Sequence, residues 1–168
     1  MRHPLILAAL AALQLLAALQ LLAAPAFAAD DITYLQNALD GRGRCLGSSE
    51  GAVAMQACDK SSSQQWLLTL GDLPGYVKFH TVGAGAGVCL EADPNERKNV
   101  LHMAACNKGD AQQWYVGGQN HVPRRLQLSN RAAGPVRCLE AQQTGIKLTP
   151  CSRRQPGHQW RSDYIPTM

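Results

Sequence analysis

The chain has 168 residues and a formal net charge of +4, with 46% hydrophobic and 17% charged residues. That is enough chain for one domain with a real core. Its six cysteines include no Cys-x-x-Cys, and no His pair stands at ligand spacing, which argues against a zinc site.

The first stretch reads as separate from that domain. Arg2 and His3 make a short basic start, and Leu5 to Ala24 is apolar apart from Gln14 and Gln20. Pro25, the triplet Ala26-Phe27-Ala28 and the acidic pair Asp30-Asp31 follow. This is the layout of a secretory signal. The run is also about as long as a bilayer-spanning helix needs, but the two glutamines, the proline and the Ala-x-Ala site favour cleavage after Ala28. The expected mature chain is residues 29–168, exported to the extracellular space or a periplasm, with no membrane anchor left. All six cysteines lie within it, in a compartment where disulfides persist.

From there the chain repeats itself. Cys45-Leu46-Gly47, Cys89-Leu90-Glu91 and Cys138-Leu139-Glu140 open equivalent segments, and Cys58, Cys106 and Cys151 follow after 13, 17 and 13 residues. Gln64-Gln65-Trp66, Gln112-Gln113-Trp114 and His158-Gln159-Trp160 close them. Apolar residues recur in phase: Leu35, Phe79 and Leu128; Val53, Leu101 and Ile146; Met55, Met103 and Leu148. Their period of two predicts strands. Asp40-Gly41, Gly83 to Gly87, Asp93-Pro94-Asn95, Gly117-Gly118, Gly134-Pro135 and Pro156-Gly157 read as the turns between them. No helical period follows the leader, so the expected class is all-β. A unit of roughly 47 residues cannot bury its apolar side alone, whereas three closed around a pseudo-threefold axis can.

Charge is unevenly spread. Residues 29–118 carry 7 Lys/Arg and 10 Asp/Glu, and residues 119–168 carry 8 and 2. The last third should show a positive face, which suggests an acidic partner, although exposed arginines are commonly just a solvated surface.

A Cys-Leu-x start, an apolar-x-apolar-x-x-Cys strand and a closing Gln-x-Trp, three times over, resemble the ricin B-chain lectin family. The resemblance spans about residues 32–163. It implies a β-trefoil with units at about 32–76, 77–124 and 125–164, and bridges kept within each unit: Cys45–Cys58, Cys89–Cys106 and Cys138–Cys151. It also implies that Trp66, Trp114 and Trp160 pack inward as core rather than stack on ligand.

Sugar-binding members of that family place an Asp two residues after the first cysteine and an aromatic two before the second. A polar residue stands four before the second, and an Asn precedes the Gln-x-Trp. The carboxylate and amide bond the hydroxyls while the ring covers C–H surface. Here the Asp position holds Gly47, Glu91 and Glu140; the aromatic position holds Gln56, Ala104 and Thr149; the Asn position holds Ser63, Ala111 and Gly157. The candidate ligand-binding residues are therefore Glu91, His102 and Gln112 in the second unit, and Glu140, Lys147 and Thr149 in the third. In one reading the glutamates still accept sugar hydroxyls. In the other they are surface groups paired with Lys147 and nearby arginines for little energy.

An enzyme is not expected. Glycoside hydrolysis needs two carboxylates across one cleft, and Glu91 and Glu140 belong to different units. The cysteines are expected to be bridged, and His80, His102, His121 and His158 are scattered, each read as a polar surface residue. No cofactor, metal or nucleic-acid partner is implied. The expectation is a secreted lectin module that binds glycans, acidic ones at the third unit. Its rival is a protein-interaction or cell-binding subunit of a secreted, toxin-like complex, and a protease-inhibitor trefoil is more remote because that family lacks the Gln-x-Trp repeat.

Overall fold

The structure is a computed structural model and describes residues 32–93, 101–118 and 126–162. The leader with its cleavage site after Ala28, the Pro94-Asn95 turn and His121 lie outside those residues. Among the described residues no helix is long and apolar enough to cross a membrane.

Among the described residues thirteen strands form one antiparallel network. The first unit supplies β1 (Ile32–Thr33), β2 (Gln36–Asn37), β3 (Arg44–Ser49), β4 (Ala52–Ala57) and β5 (Trp66–Leu70). The second supplies β6 (Val77–Thr81), β7 (Val88–Ala92), β8 (Leu101–Ala105) and β9 (Trp114–Gly118), and the third β10 (Leu126–Asn130), β11 (Arg137–Gln142), β12 (Gly145–Pro150) and β13 (Trp160–Arg161). The outer strands of each unit form the barrel: β5 pairs β6, β6 pairs β9, β9 pairs β10, and β10 pairs β13. The ring shuts where β13 meets β2 (Trp160 opposite Asn37) and β1 meets β5 (Ile32 opposite Leu67). The inner strands make three hairpins, β3–β4, β7–β8 and β11–β12. This is a β-trefoil. Gly117-Gly118, expected to turn, instead continue β9, because Gly117 pairs with Gln127 and Gly118 with Leu126 across the hairpin.

The alternation places one residue of each equivalent trio in a shared core. Leu35, Phe79 and Leu128 are each 1% exposed, and Trp66, Trp114 and Trp160 are 0% exposed. Phe79 stands edge-on between Trp66 and Trp114, with ring centroids 6.3 and 6.1 Å apart. Each indole N–H donates to the carbonyl that follows the first cysteine of its own unit: Leu46 at 2.8 Å, Leu90 at 2.9 Å and Leu139 at 2.8 Å. The one polar atom of each tryptophan is thereby satisfied inside the core. The bridges join Cys45 to Cys58, Cys89 to Cys106 and Cys138 to Cys151, with Cα atoms 4.9–5.1 Å apart.

Candidate functional site

Each inner hairpin sets the candidate carboxylate position directly across from the polar position. Gly47 faces Ala54, Glu91 faces His102, and Glu140 faces Lys147. Below each hairpin the residue that begins the Gln-x-Trp turns inward.

In the second unit a 3-10 turn over Asp110–Gln112 delivers Gln112, which is 0% exposed. Its Nε2 donates to Glu91 Oε2 at 2.7 Å and to the Ala105 carbonyl at 2.9 Å, while its Oε1 accepts from the Asn107 backbone N–H at 2.7 Å. Asn107 Nδ2 approaches the same Glu91 oxygen at 3.4 Å. The other oxygen, Oε1, lies 3.6 Å from His102 Nε2, and the Glu91 side chain is 22% exposed. A carboxylate fixed on one oxygen and on a part-exposed side chain is suited to accept further hydroxyl donors. Gln112, expected to touch ligand, is too deeply buried for that; it positions Glu91. Asn107 was not anticipated. The signal for it was a polar residue directly after each second cysteine, Asp59, Asn107 and Ser152, each of whose side chains accepts from the N–H two residues on.

In the third unit Glu140 Oε2 accepts from Gln142 Nε2 at 2.8 Å and from Thr149 Oγ1 at 2.9 Å. Thr149 Oγ1 lies 2.7 Å from His158 Nε2. A hydroxyl that donates to Glu140 must accept from His158, so the imidazole carries its proton on Nε2. That agrees with Nδ1, which is buried without a hydrogen-bond partner. Burial pushes the His158 pKa down from 6.5 against an opposing pull from Glu140. Lys147 stands opposite Glu140 in register, but no ion pair joins them among the described residues. In place of the lysine–glutamate pair that one reading offered, Glu140 accepts from Thr149, which is bonded in turn to a neutral His158.

Gly157 explains the longer acid. A Cβ there would overlap the Ala141 carbonyl oxygen and stand 2.9 Å from Glu140 Cγ. The space of a side chain at the Asn position is filled from the other direction by the extra methylene of Glu140. In the first unit the Gln56 side chain reaches over Gly47, its Oε1 3.0 Å from where a Cβ would be.

The histidines divide. His102 is part exposed, but His80 and His158 are buried, contrary to the expectation of surface residues. His80 Nδ1 accepts no metal with its neighbours Cys89 and Cys106, because their sulfurs, each 3.7 Å away, are joined in the bridge and offer no thiolate.

Two buried neutral histidines make stability fall with acid. Their folded pKa values lie below the ordinary 6.5, burial being the first cause in both. The unfolded chain therefore binds protons first, and stability held at pH 7 is lost as pH falls from about 6.5 down through the lower folded values. His158→Gln restores the residue of the other two units. Thermal melts at pH 7 and pH 5 are expected to show a smaller acid loss in this variant; an unchanged loss contradicts the assignment.

The profile of the ricin-type β-trefoil lectin domain matches residues 75–166, more than half the chain. The chain belongs to this family, a family of carbohydrate-binding domains. Among solved structures it resembles a designed threefold-symmetric protein, ThreeFoil, at 21% identity and a TM-score of 0.67, covering 81% of this chain and 100% of that one. It also resembles a mosquitocidal holotoxin (12% identity, TM-score 0.69, 83% of this chain and 18% of that one). A third likeness is SeviL bound to the asialo-GM1 saccharide (16% identity, TM-score 0.58, 79% of this chain and 95% of that one). At such identities the likeness is one of fold. No curated protein matches the chain significantly.

Proposed function

We propose that the protein is a secreted, non-enzymatic lectin whose ligand surface lies on the second and third units. Glu91 with His102 forms one contact surface, and Glu140 with Thr149 and Lys147 the other. The observation that supports this reading most is the Glu91 carboxylate, one oxygen held by the buried Gln112 and the other 3.6 Å from His102, on a side chain that is 22% exposed. No ring stands at Gln56, Ala104 or Thr149, so each site lacks stacking energy, and useful avidity requires several weak sites together. SeviL, with its bound saccharide, and the sugar-binding character of the family agree with the reading.

The missing rings also favour a second reading, a protein-interaction or cell-binding subunit of a toxin-like secreted complex. The trefoil within the mosquitocidal holotoxin gives that reading a precedent in fold. A glycan array on the oxidised mature chain separates the two. Selective hits support the lectin, and a blank array with a co-purifying secreted protein supports the subunit. Against an array hit, Glu91→Ala and Glu140→Ala are each expected to weaken binding about tenfold, the loss of one or two charge-assisted hydrogen bonds. Titration at low and high salt checks this. Wild-type affinity in both single variants would sink the assignment.

A further inference from the structure

A groove lies outside the three hairpin pockets. It has a volume of about 640 Å³ and runs between the outer face of β9–β10 and the Cys138–Cys151 bridge. Neither Glu91, Glu140 nor any of their hydrogen-bond partners lines it.

Comparison around the pseudo-threefold axis shows how this unit comes to have it. The outward pair at this level is Tyr115 opposite Ser129 in the third unit, Leu67 opposite His80 in the second, and Arg161 opposite Gln36 in the first. In the second unit His80 fills the space. It is 5% exposed, bonds Thr69 Oγ1 at 2.9 Å and the Val88 carbonyl at 3.2 Å, and lies against both sulfurs of its bridge. In the first, Gln36 donates to the Arg42 carbonyl at 3.0 Å and lays its amide 3.9 and 3.8 Å from Cys45 and Cys58 Sγ. The third unit offers only the Ser129 hydroxymethyl there, and Gly117 stands where the second unit has Thr69. The plug is gone and the space stands open.

The walls of the opened space differ from the plugged ones in chemistry. Tyr115 is 51% exposed where its equivalent Leu67 is 3% exposed, and its Cε1 lies 3.1 Å from where a Gly117 Cβ would be. A ring over a glycine is a flat, accessible face. Val136, 72% exposed, and Pro150 continue the apolar side. Gln127 lines the groove, and its Nε2 is buried without a hydrogen-bond partner. An amide N–H in that state gains from an acceptor brought into the groove. Arg153 adds a cation, and among the described residues no carboxylate lines the groove.

Resting on the reading of the chain as a sugar binder, we propose that this groove binds an acidic pyranose, a uronic acid unit. Tyr115 covers its C–H face, and Gln127 and Arg153 meet its carboxylate. The site is distinct from the Glu140 surface, whose own carboxylate repels such a ligand.

The test uses the oxidised mature protein with trigalacturonate as probe and galactotriose as neutral control, followed by calorimetry and by the shifts of the Gln127 side-chain amide. Ser129→His is expected to restore the second unit's plug and weaken trigalacturonate at least tenfold, roughly. Tyr115→Ala should weaken it about threefold to tenfold, with the melting temperature followed alongside because the edge contact with Tyr76 is also lost. Binding that survives both groove variants overturns the groove assignment. No trigalacturonate binding by the unaltered protein at millimolar concentration also overturns it, while an array hit that depends on Glu91 leaves the lectin reading standing.

Discussion

Replacing Trp114 with alanine is expected to lower folding stability by about 3–5 kcal/mol, the range for a large buried aromatic. Three losses combine. The indole is 0% exposed and fills the centre of the barrel. Its edge contact with Phe79 disappears. The Leu90 carbonyl loses the indole N–H that satisfies it. Trp114→Phe separates these terms, because it keeps most of the volume and removes the hydrogen bond; it should cost about 1–3 kcal/mol. Trp66 and Trp160 repeat the geometry and should behave alike. Urea unfolding gives the numbers, and glycan binding should fall only in proportion to lost folding. A Trp114→Ala chain with unchanged stability and abolished binding would make the residue a ligand contact instead.

Removing a bridge is the second large effect. The pairs close loops with sequence separations of 13, 17 and 13. In the chain-entropy account each such closure stabilises by about 3 kcal/mol. Replacing both cysteines of any one unit with alanine should therefore cost about 2–5 kcal/mol. The Cys89–Cys106 pair carries an added penalty, since His80 packs on its sulfurs and would face a void. Peptide mapping without reduction should find three within-unit bridges and a mature N-terminus at Ala29. A bridge between units would contradict the structure.

Most of the architecture was legible because repetition reports it three times. The cysteines, the tryptophans and the trio Leu35, Phe79 and Leu128 recur in phase, and no local ambiguity survives three aligned copies. The candidate sites were less legible, because their state depends on side chains that differ between copies. His158 sits at a position held by Gln in the other units, and burial, not sequence, decides that it is neutral and bonded to Thr149. Gln112 carries polar atoms like any ligand contact, yet its place under the hairpin turns them toward Glu91. Gly117-Gly118 has the composition of a turn, but pairing with Gln127 and Leu126 holds it extended. The open groove was invisible for a related reason: it is defined by what Ser129 fails to fill, and that depends on strands from two successive units.

The seam between β2 and β13 also sets the order of assembly. Trp160 pairs with Asn37, and Asn37 Nδ2 donates to the Gly157 carbonyl at 2.8 Å, a contact spanning 120 residues. Until the last strand emerges, the barrel is an unclosed sheet with bare edges at β2 and β10. Joining ends so distant in sequence gives up chain entropy before any contact repays it, so closure comes late and the trefoil folds slowly. A chain stopped short of Trp160 keeps those edges and offers them to its neighbours. The three units look modular in sequence, but none can be released from the ring alone.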